Sequence, residues 1–333
     1  MAGNNFESLF RSLRIHSNDN EDLRNIFDAV VAIYSQWEHQ YNDRELQQIC
    51  LSRMKDISQI YRHHLRFTQL RIDFADRFTQ WAYMYLFMMR HVHIVHYALD
   101  VTVQERLMYV NPSGLPPAVC MIGGGPGSDI LGLCVFLRKH GFTATLTGQV
   151  DVLDKCIGWN WSWETLQPLL PNNYRYGIPR VSYRQFDYTV NELSLTNQNI
   201  VSGAYIVTMI KSLSPVAAWL RTVQQSYRWS YRSDGRLRET IDKWHSVFSI
   251  LKHMTAGAFL LYIDNQTGPQ REILMETVRC FKFKVIFDRV LHNVRMPTEI
   301  FSPEARRLMN MMNFRPCTTA GTNEVILLRK LSM

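Results

Sequence analysis

Between residues 20 and 99 apolar positions recur at three- and four-residue intervals. Leu23, Ile26, Phe27, Val30, Val31 and Tyr34 share one stripe of a helix. Asn20 and Asp22 are residue types that cap a helix N-terminus. The same spacing predicts helices over about 43–67 and 73–99. Gly and Pro are almost absent before Pro112, which favours long helices over strands. The turn formers from Asn111 to Pro117 end this pattern. Beyond them, short apolar runs alternate with helical stretches. Strands are expected at about 118–122, 148–153, 181–186, 204–210, 258–263, 282–287 and 324–329. Helices are expected at 128–139, after Trp159, and at 215–227, 238–254, 269–280 and 303–313. Strands alternating with helices predict an α/β sheet, mostly parallel. The chain therefore divides at about residue 115, into a helical N-terminal region (1–115) and an α/β domain (116–333).

Composition adds limits. The chain has 333 residues, 46% hydrophobic and 20% charged, with 16 Gly and 12 Pro. These values exclude a disordered or fibrous chain. Six scattered cysteines with no Cys-x-x-Cys pair read as reduced thiols, neither a disulfide frame nor a zinc site. The N-terminus lacks the charged-then-apolar pattern of a signal peptide. The apolar stretch Trp81–Met89 stops at Arg90, short of the roughly 20 residues a membrane span needs. The expectation is an intracellular protein, cytoplasmic or nuclear, with no membrane partner. Formal net charge is +8, but residues 1–115 hold 12 Lys+Arg against 13 Asp+Glu. The whole basic excess follows residue 115, a distribution suited to an anionic partner.

The chemistry concentrates in the α/β half. Val119–Ile122 runs into Gly123-Gly124-Gly125-Pro126-Gly127 and then Ser128-Asp129. A buried strand, a glycine turn and a helix start let a ligand approach the backbone closely. The next strand ends in Asp154, where dinucleotide-type folds place an acid on ribose hydroxyls. Asp151, earlier in that strand, is the fallback. Phe186-Asp187 ends a third strand. A carboxylate there reaches an adenine amine, and the apolar neighbour covers the ring. The turn departs from the G-x-G-x-x-G spacing of nicotinamide folds, since Gly132 falls too late. An acid at the helix start is also poorly suited to a pyrophosphate.

With these residues in place, the segment from about Pro116 to Lys330 resembles class I S-adenosylmethionine-dependent methyltransferases. More narrowly, GGGPGSDILGL (123–133), VLDKCIGWNWSWE (152–164), VTMIKSLS (207–214) and the helical WAYMYLFMMRHVHIVHYAL (81–99) look like a eukaryotic branch that includes fungal 25S rRNA uridine-N3 methyltransferases. The resemblance implies a doubly wound sheet of seven strands, the last antiparallel, with helices on both faces. It implies S-adenosylmethionine as cofactor and S-adenosylhomocysteine as product. The cofactor site it implies comprises Gly123, Gly124, Gly125, Gly127, Asp129, Asp154, Lys155, Phe186, Asp187 and Met209. Two positions depart from the family's pattern. Met121 stands where an acid commonly helps hold the cofactor's amino-acid end. Thr208–Ser212 lacks the Asn/Asp-Pro-Pro-aromatic motif of adenine-N6 enzymes, leaving Lys211 as the nearest catalytic candidate.

Arginine and aromatic residues alternate in Tyr227–Arg232. Arginines neutralise phosphates and aromatic faces stack on unpaired bases, so Arg228, Trp229, Tyr231 and Arg232 are candidates for contact with RNA. An exposed loop held by arginine–aromatic contacts is the plainer reading of the same residues. His91, His93 and His96 spread over different helix faces, so no metal is expected there. The function expected is methyl transfer, to RNA first, with a uridine base nitrogen as the finer suggestion. The competing expectation is an inactive relative that binds the cofactor as a sensor or scaffold, its N-terminal helices meeting a protein partner.

Overall fold

The computed structural model describes residues 19–62, 72–105, 117–141, 147–178, 180–188, 192–215, 245–266 and 270–332. Helix α1 spans Asp19–Glu38 and α2 spans Asp43–Arg62. Helix α3, Arg77–Tyr83, passes through a π-helical turn at Met84–Met88 into α4, Met89–Gln104. Asp76 caps α3, its carboxylate accepting from the Phe78 and Thr79 amides, so this helix starts later than the periodicity predicts. Asn20 and Asp22 lie inside α1 rather than capping it. Asp22 instead takes the Arg138 guanidinium at 3.3 Å.

The sheet strands are β1 Val119–Ile122, β2 Val150–Asp154, β3 Val181–Gln185, β4 Ile206–Ile210, β5 Phe259–Asn265, β6 Phe283–Leu291 and β7 Asn323–Lys330. Their order is β3-β2-β1-β4-β5-β7-β6. Pairings from β3 to β5 are parallel, and β7 runs antiparallel to both β5 and β6. The doubly wound, seven-stranded, mostly parallel sheet expected above is present. Because β4 lies beside β1 while β2 and β3 run off the other side, the order reverses at β1. Open sheets of this kind bind ligands at the strand carboxyl ends beside that reversal.

Alternating residues of β1 feed two cores, as the period-2 geometry of a strand requires. Val119 and Met121 join the core under α1–α4, α5 (Ser128–Lys139), α6 (Trp159–Leu166) and α11 (Pro303–Met312). Cys120 and Ile122 join the core under α8 (Leu195–Gly203), α9 (His245–His253) and α10 (Gln270–Arg279). Each fully buried Leu, Ile or Val contributes about 1.5–3 kcal/mol, so both layers depend on this alternation. A short helix, α7, spans Asn172–Gly177.

The N-terminal helices share the first core with the sheet. α4 lies on α5 at very close range. A side chain at Gly132 would meet the Val92 carbonyl and Val95 Cβ, each at 2.7 Å. Trp81 donates its indole N–H to the Val30 carbonyl, and Tyr85 its hydroxyl to the Phe314 carbonyl. The helices thus reach across the sheet to the chain's C-terminal segment.

Candidate functional site at the strand carboxyl ends

β1 delivers the chain into the glycine turn at the sheet's reversal. Three of its glycines have packing reasons. A side chain at Gly123 would meet Ser212 Cβ at 2.7 Å, and one at Gly124 would meet Met121 Cβ at 2.7 Å. Gly127 has φ +86° and lies under the Trp163 ring, whose Cε3 is 2.9 Å from where a Cβ would sit. Gly125 is different. It has φ +50°, and a Cβ at this position would have Trp159 Cε2, 3.8 Å away, as its nearest neighbour. A Cβ there would make ordinary contact with the Trp159 ring, so the positive φ, rather than crowding, is what favours glycine at this buried position.

Asp154 ends β2 directly beside this turn. Its carboxylate accepts from the Gly125 amide at 3.0 Å and the Cys156 amide at 2.9 Å. Burial pushes its acid up to about 6, against those amides, which favour the charged form. Asp151 lies closer to the other end of the sheet and bonds Gln149. It therefore stays outside the group that surrounds the turn.

Lys155 and Asp187 meet at 2.8 Å, and the lysine is 74% exposed. The pair joins the loops after β2 and β3. Phe186 is buried, with its ring edge-on to Tyr188 at 5.2 Å. Tyr188 exchanges a hydrogen bond with Ser212 Oγ at 2.9 Å, tying the loop after β3 to the end of β4. Met209 is fully buried within β4.

Asp129 lies inside the fold. Its carboxylate accepts from Thr208 Oγ1 at 2.7 Å, linking the start of α5 to β4. Burial raises its acid to about 7. Of the residues in the implied cofactor site, Gly124, Gly125, Gly127, Asp129, Phe186 and Met209 are buried, whereas Asp154 and Asp187 are half-buried and Lys155 is exposed.

Lys211 follows β4 with a left-handed backbone, φ +55°. Conformations of this kind in non-glycine residues cost on the order of 1–3 kcal/mol and cluster at functional sites. Its ammonium donates to Asn265 Oδ1 at 2.6 Å and also to Asn323 Oδ1. Burial pulls its pKa down to about 7, with the Arg90 charge acting in the same direction and Asp264 opposing. Asp264 accepts from the Leu213 and Ser214 amides, fixing the backbone just beyond Lys211.

An aromatic roof descends from the helical region. The ring of Trp159 lies 5.4 Å from Tyr83 and 4.9 Å from Phe74. Tyr83 lies 5.4 Å from Phe87, and the Arg90 guanidinium sits 4.9 Å over the Phe87 ring. Trp161 stacks on Trp37 and Trp163 covers Gly127, so the three tryptophans after Asp154 pack the fold as expected. Sequence reasoning missed Tyr188, Ser212, Asn265, Asn323 and Arg90. Arg90 carried a usable signal, a lone charge interrupting an apolar helical stretch. The asparagines carried none, because they meet Lys211 only through strand pairing.

Arg228, Trp229, Tyr231 and Arg232 lie outside the described residues. Among the described residues, no group of three or more His, Cys, Asp and Glu is placed to hold a metal ion. No described helix is long and apolar enough to cross a membrane.

The strand order, with β7 antiparallel between β5 and β6, defines a Rossmann-like methyltransferase fold. Several solved structures are similar to it in fold. One, an S-adenosylmethionine-dependent enzyme from Methanosarcina mazei, has 11% identity and a TM-score of 0.38 over 69% of this chain and 98% of its own. A precorrin-6y C5,15-methyltransferase from Geobacter metallireducens has 8% identity and a TM-score of 0.35 over 69% and 87%. NSun6 from Pyrococcus horikoshii, solved with SFG, has 11% identity and a TM-score of 0.39 over 73% and 52%. No protein-family model and no curated protein matches the sequence. The functional assignment of this chain rests on its own residues.

Proposed function

We propose that the protein is an S-adenosylmethionine-dependent methyltransferase that acts on RNA, with a uridine base nitrogen as acceptor. The carrying observation is the Gly125–Asp154 pair at the sheet's reversal. It presents a positive-φ glycine and, on its amide and that of Cys156, a strand-end carboxylate at the point where such sheets bind nucleoside ligands. Bound there, S-adenosylmethionine would supply a methyl on a sulfonium, and a sulfonium carries no phosphate that Asp129 or Asp154 would repel. Asp154 would hold the ribose hydroxyls. Asp187, now on Lys155, would turn to the adenine amine, with Phe186 beside it.

Transfer of a methyl is an in-line displacement, so the protein's main task is alignment. A uridine N3 also has to lose a proton. Lys211 fits that step, because an amine with a pKa of about 7 is neutral in part at physiological pH. A neutral amine has two N–H bonds and one lone pair. Asn265 and Asn323 accept the two N–H bonds, which leaves the lone pair to take the acceptor's proton. With the cofactor bound, Lys211 would take the N3 proton, leaving the nitrogen's electron pair free to accept the methyl that the sulfonium supplies.

RNA as the substrate is supported by the basic excess after residue 115 and by the arginine–aromatic run at 226–238. The pocket assignment is tested by titrating S-adenosylhomocysteine into the wild type and Asp154→Ala by calorimetry. A hydrogen-bonded charge is worth about 1.5–3 kcal/mol, so affinity is expected to fall roughly 10- to 100-fold. Equal affinity in the two proteins contradicts the assignment.

A further inference from the structure

Arg90 is a guanidinium with almost nothing to hold. Of its five N–H donors, Nη1 points to Cys317 Sγ at 3.6 Å, a weak acceptor, and Nη2 lies 3.4 Å from His91 Nε2. Its Nε is buried with no hydrogen-bond partner at all. Among the described residues, no carboxylate forms an ion pair with it. The neighbouring acids are already committed, Asp264 to the amides of Leu213, Ser214 and Asn265, and Asp154 to those of Gly125 and Cys156. The other groups around it are also cationic or neutral. Lys211 lies close enough to feel its charge, and His91 is held neutral by burial first, with both cations acting in the same direction. An N–H donor buried without an acceptor is costly, so the partly buried guanidinium is set to receive one.

Its location narrows what that partner is. Arg90 follows the π-helical turn at Met84–Met88, a distortion often found at functional sites. It joins the aromatic roof that runs through Phe87 and Tyr83 to Trp159, over Gly125. Lys211 precedes Ser212, which touches Gly123. Arg90 and Lys211 thus lie on the β4–β5 side of the glycine turn, whereas Asp154 and Asp187 follow β2 and β3 on its other side. A ligand with a diol and an adenine at one end and a carboxylate at the other matches that polarity. A guanidinium fork binds a planar carboxylate through two parallel hydrogen bonds.

We propose that Arg90, supplied by the helical region, binds the carboxylate of the cofactor's amino-acid end. The proposal rests on the methyltransferase reading above. It also accounts for Met121, since the amino-acid end is then anchored from the roof rather than from β1.

Calorimetry with two ligands tests this without any turnover. S-adenosylhomocysteine carries the carboxylate, and 5′-methylthioadenosine lacks the whole amino-acid end. The wild type is expected to prefer S-adenosylhomocysteine by more than about 10-fold. Arg90→Gln is expected to weaken S-adenosylhomocysteine roughly 10- to 100-fold while changing 5′-methylthioadenosine less than about 2-fold. Arg90→Lys, which keeps the charge without the fork, is expected to fall between. Binding of 5′-methylthioadenosine itself shows that each variant is folded. If Arg90→Gln and Arg90→Lys bind S-adenosylhomocysteine as the wild type does, the proposal is wrong while the methyltransferase reading stands. If the wild type binds neither nucleoside, both fail together.

Discussion

Asp129 shows how one buried carboxylate links sequence to pH behaviour. It opens α5, where an acid favours the helix dipole, yet the fold turns it inward onto Thr208. Burial raises its acid to about 7 from an ordinary 3.8. The folded state therefore favours the protonated form. That preference is fully present below the unfolded value near 4 and is lost as pH rises through about 7. Asn at this position keeps an acceptor for Thr208 and does not ionise. Denaturant titrations of Asp129→Asn and the wild type at pH 5 and pH 8 are expected to diverge. The variant should gain relative to the wild type on going to pH 8, by on the order of 1–3 kcal/mol. A stability difference that is the same at both pH values contradicts the account of this residue.

At the scale of elements, the contact of α4 with α5 places the roof over the glycine turn. Gly132 permits it, and a methyl group there has no room. Ala is a better helix former than Gly by about 1 kcal/mol, so propensity and packing predict opposite outcomes. Gly132→Ala is expected to destabilise by about 1–3 kcal/mol, the usual cost of overpacking. A stabilised variant in thermal or denaturant unfolding would show that the helices are looser than described. Strand positions are largely legible in the sequence, because short apolar runs between turn formers leave few alternatives. β6 runs longer than expected, to Leu291. As an edge strand it has no continuous apolar run, and its extent follows from pairing with β7 through a register shift after Val285. α8 escapes the periodicity because its apolar positions are few, although Ser194 caps it through the Asn197 amide. The π-helical turn leaves no trace in spacing, since it adds no breaker residue.

Over the whole molecule, the glycine turn and Asp154 are readable because each has a local reason, a backbone approach and a strand end. The Lys211 environment is not. It forms from α4, β5 and β7, which lie far apart in the chain and are brought together by the strand order. The near-neutral helices and the basic α/β segment share one hydrophobic core, so the charge asymmetry separates two surfaces of a jointly packed structure. In the proposed function, the helices supply Arg90 and the aromatic roof, and the basic segment meets the RNA. The most direct test is incubation of the purified protein and Lys211→Met with methyl-labelled S-adenosylmethionine and RNA, followed by nucleoside analysis. The wild type is expected to place label on uridine, with a rate that rises from pH 6 and levels off above about 7, the pKa of Lys211. Lys211→Met should lose at least about 100-fold, within the usual contribution of a general base. Wild-type protein that binds S-adenosylhomocysteine but labels no RNA across that pH range contradicts the central claim.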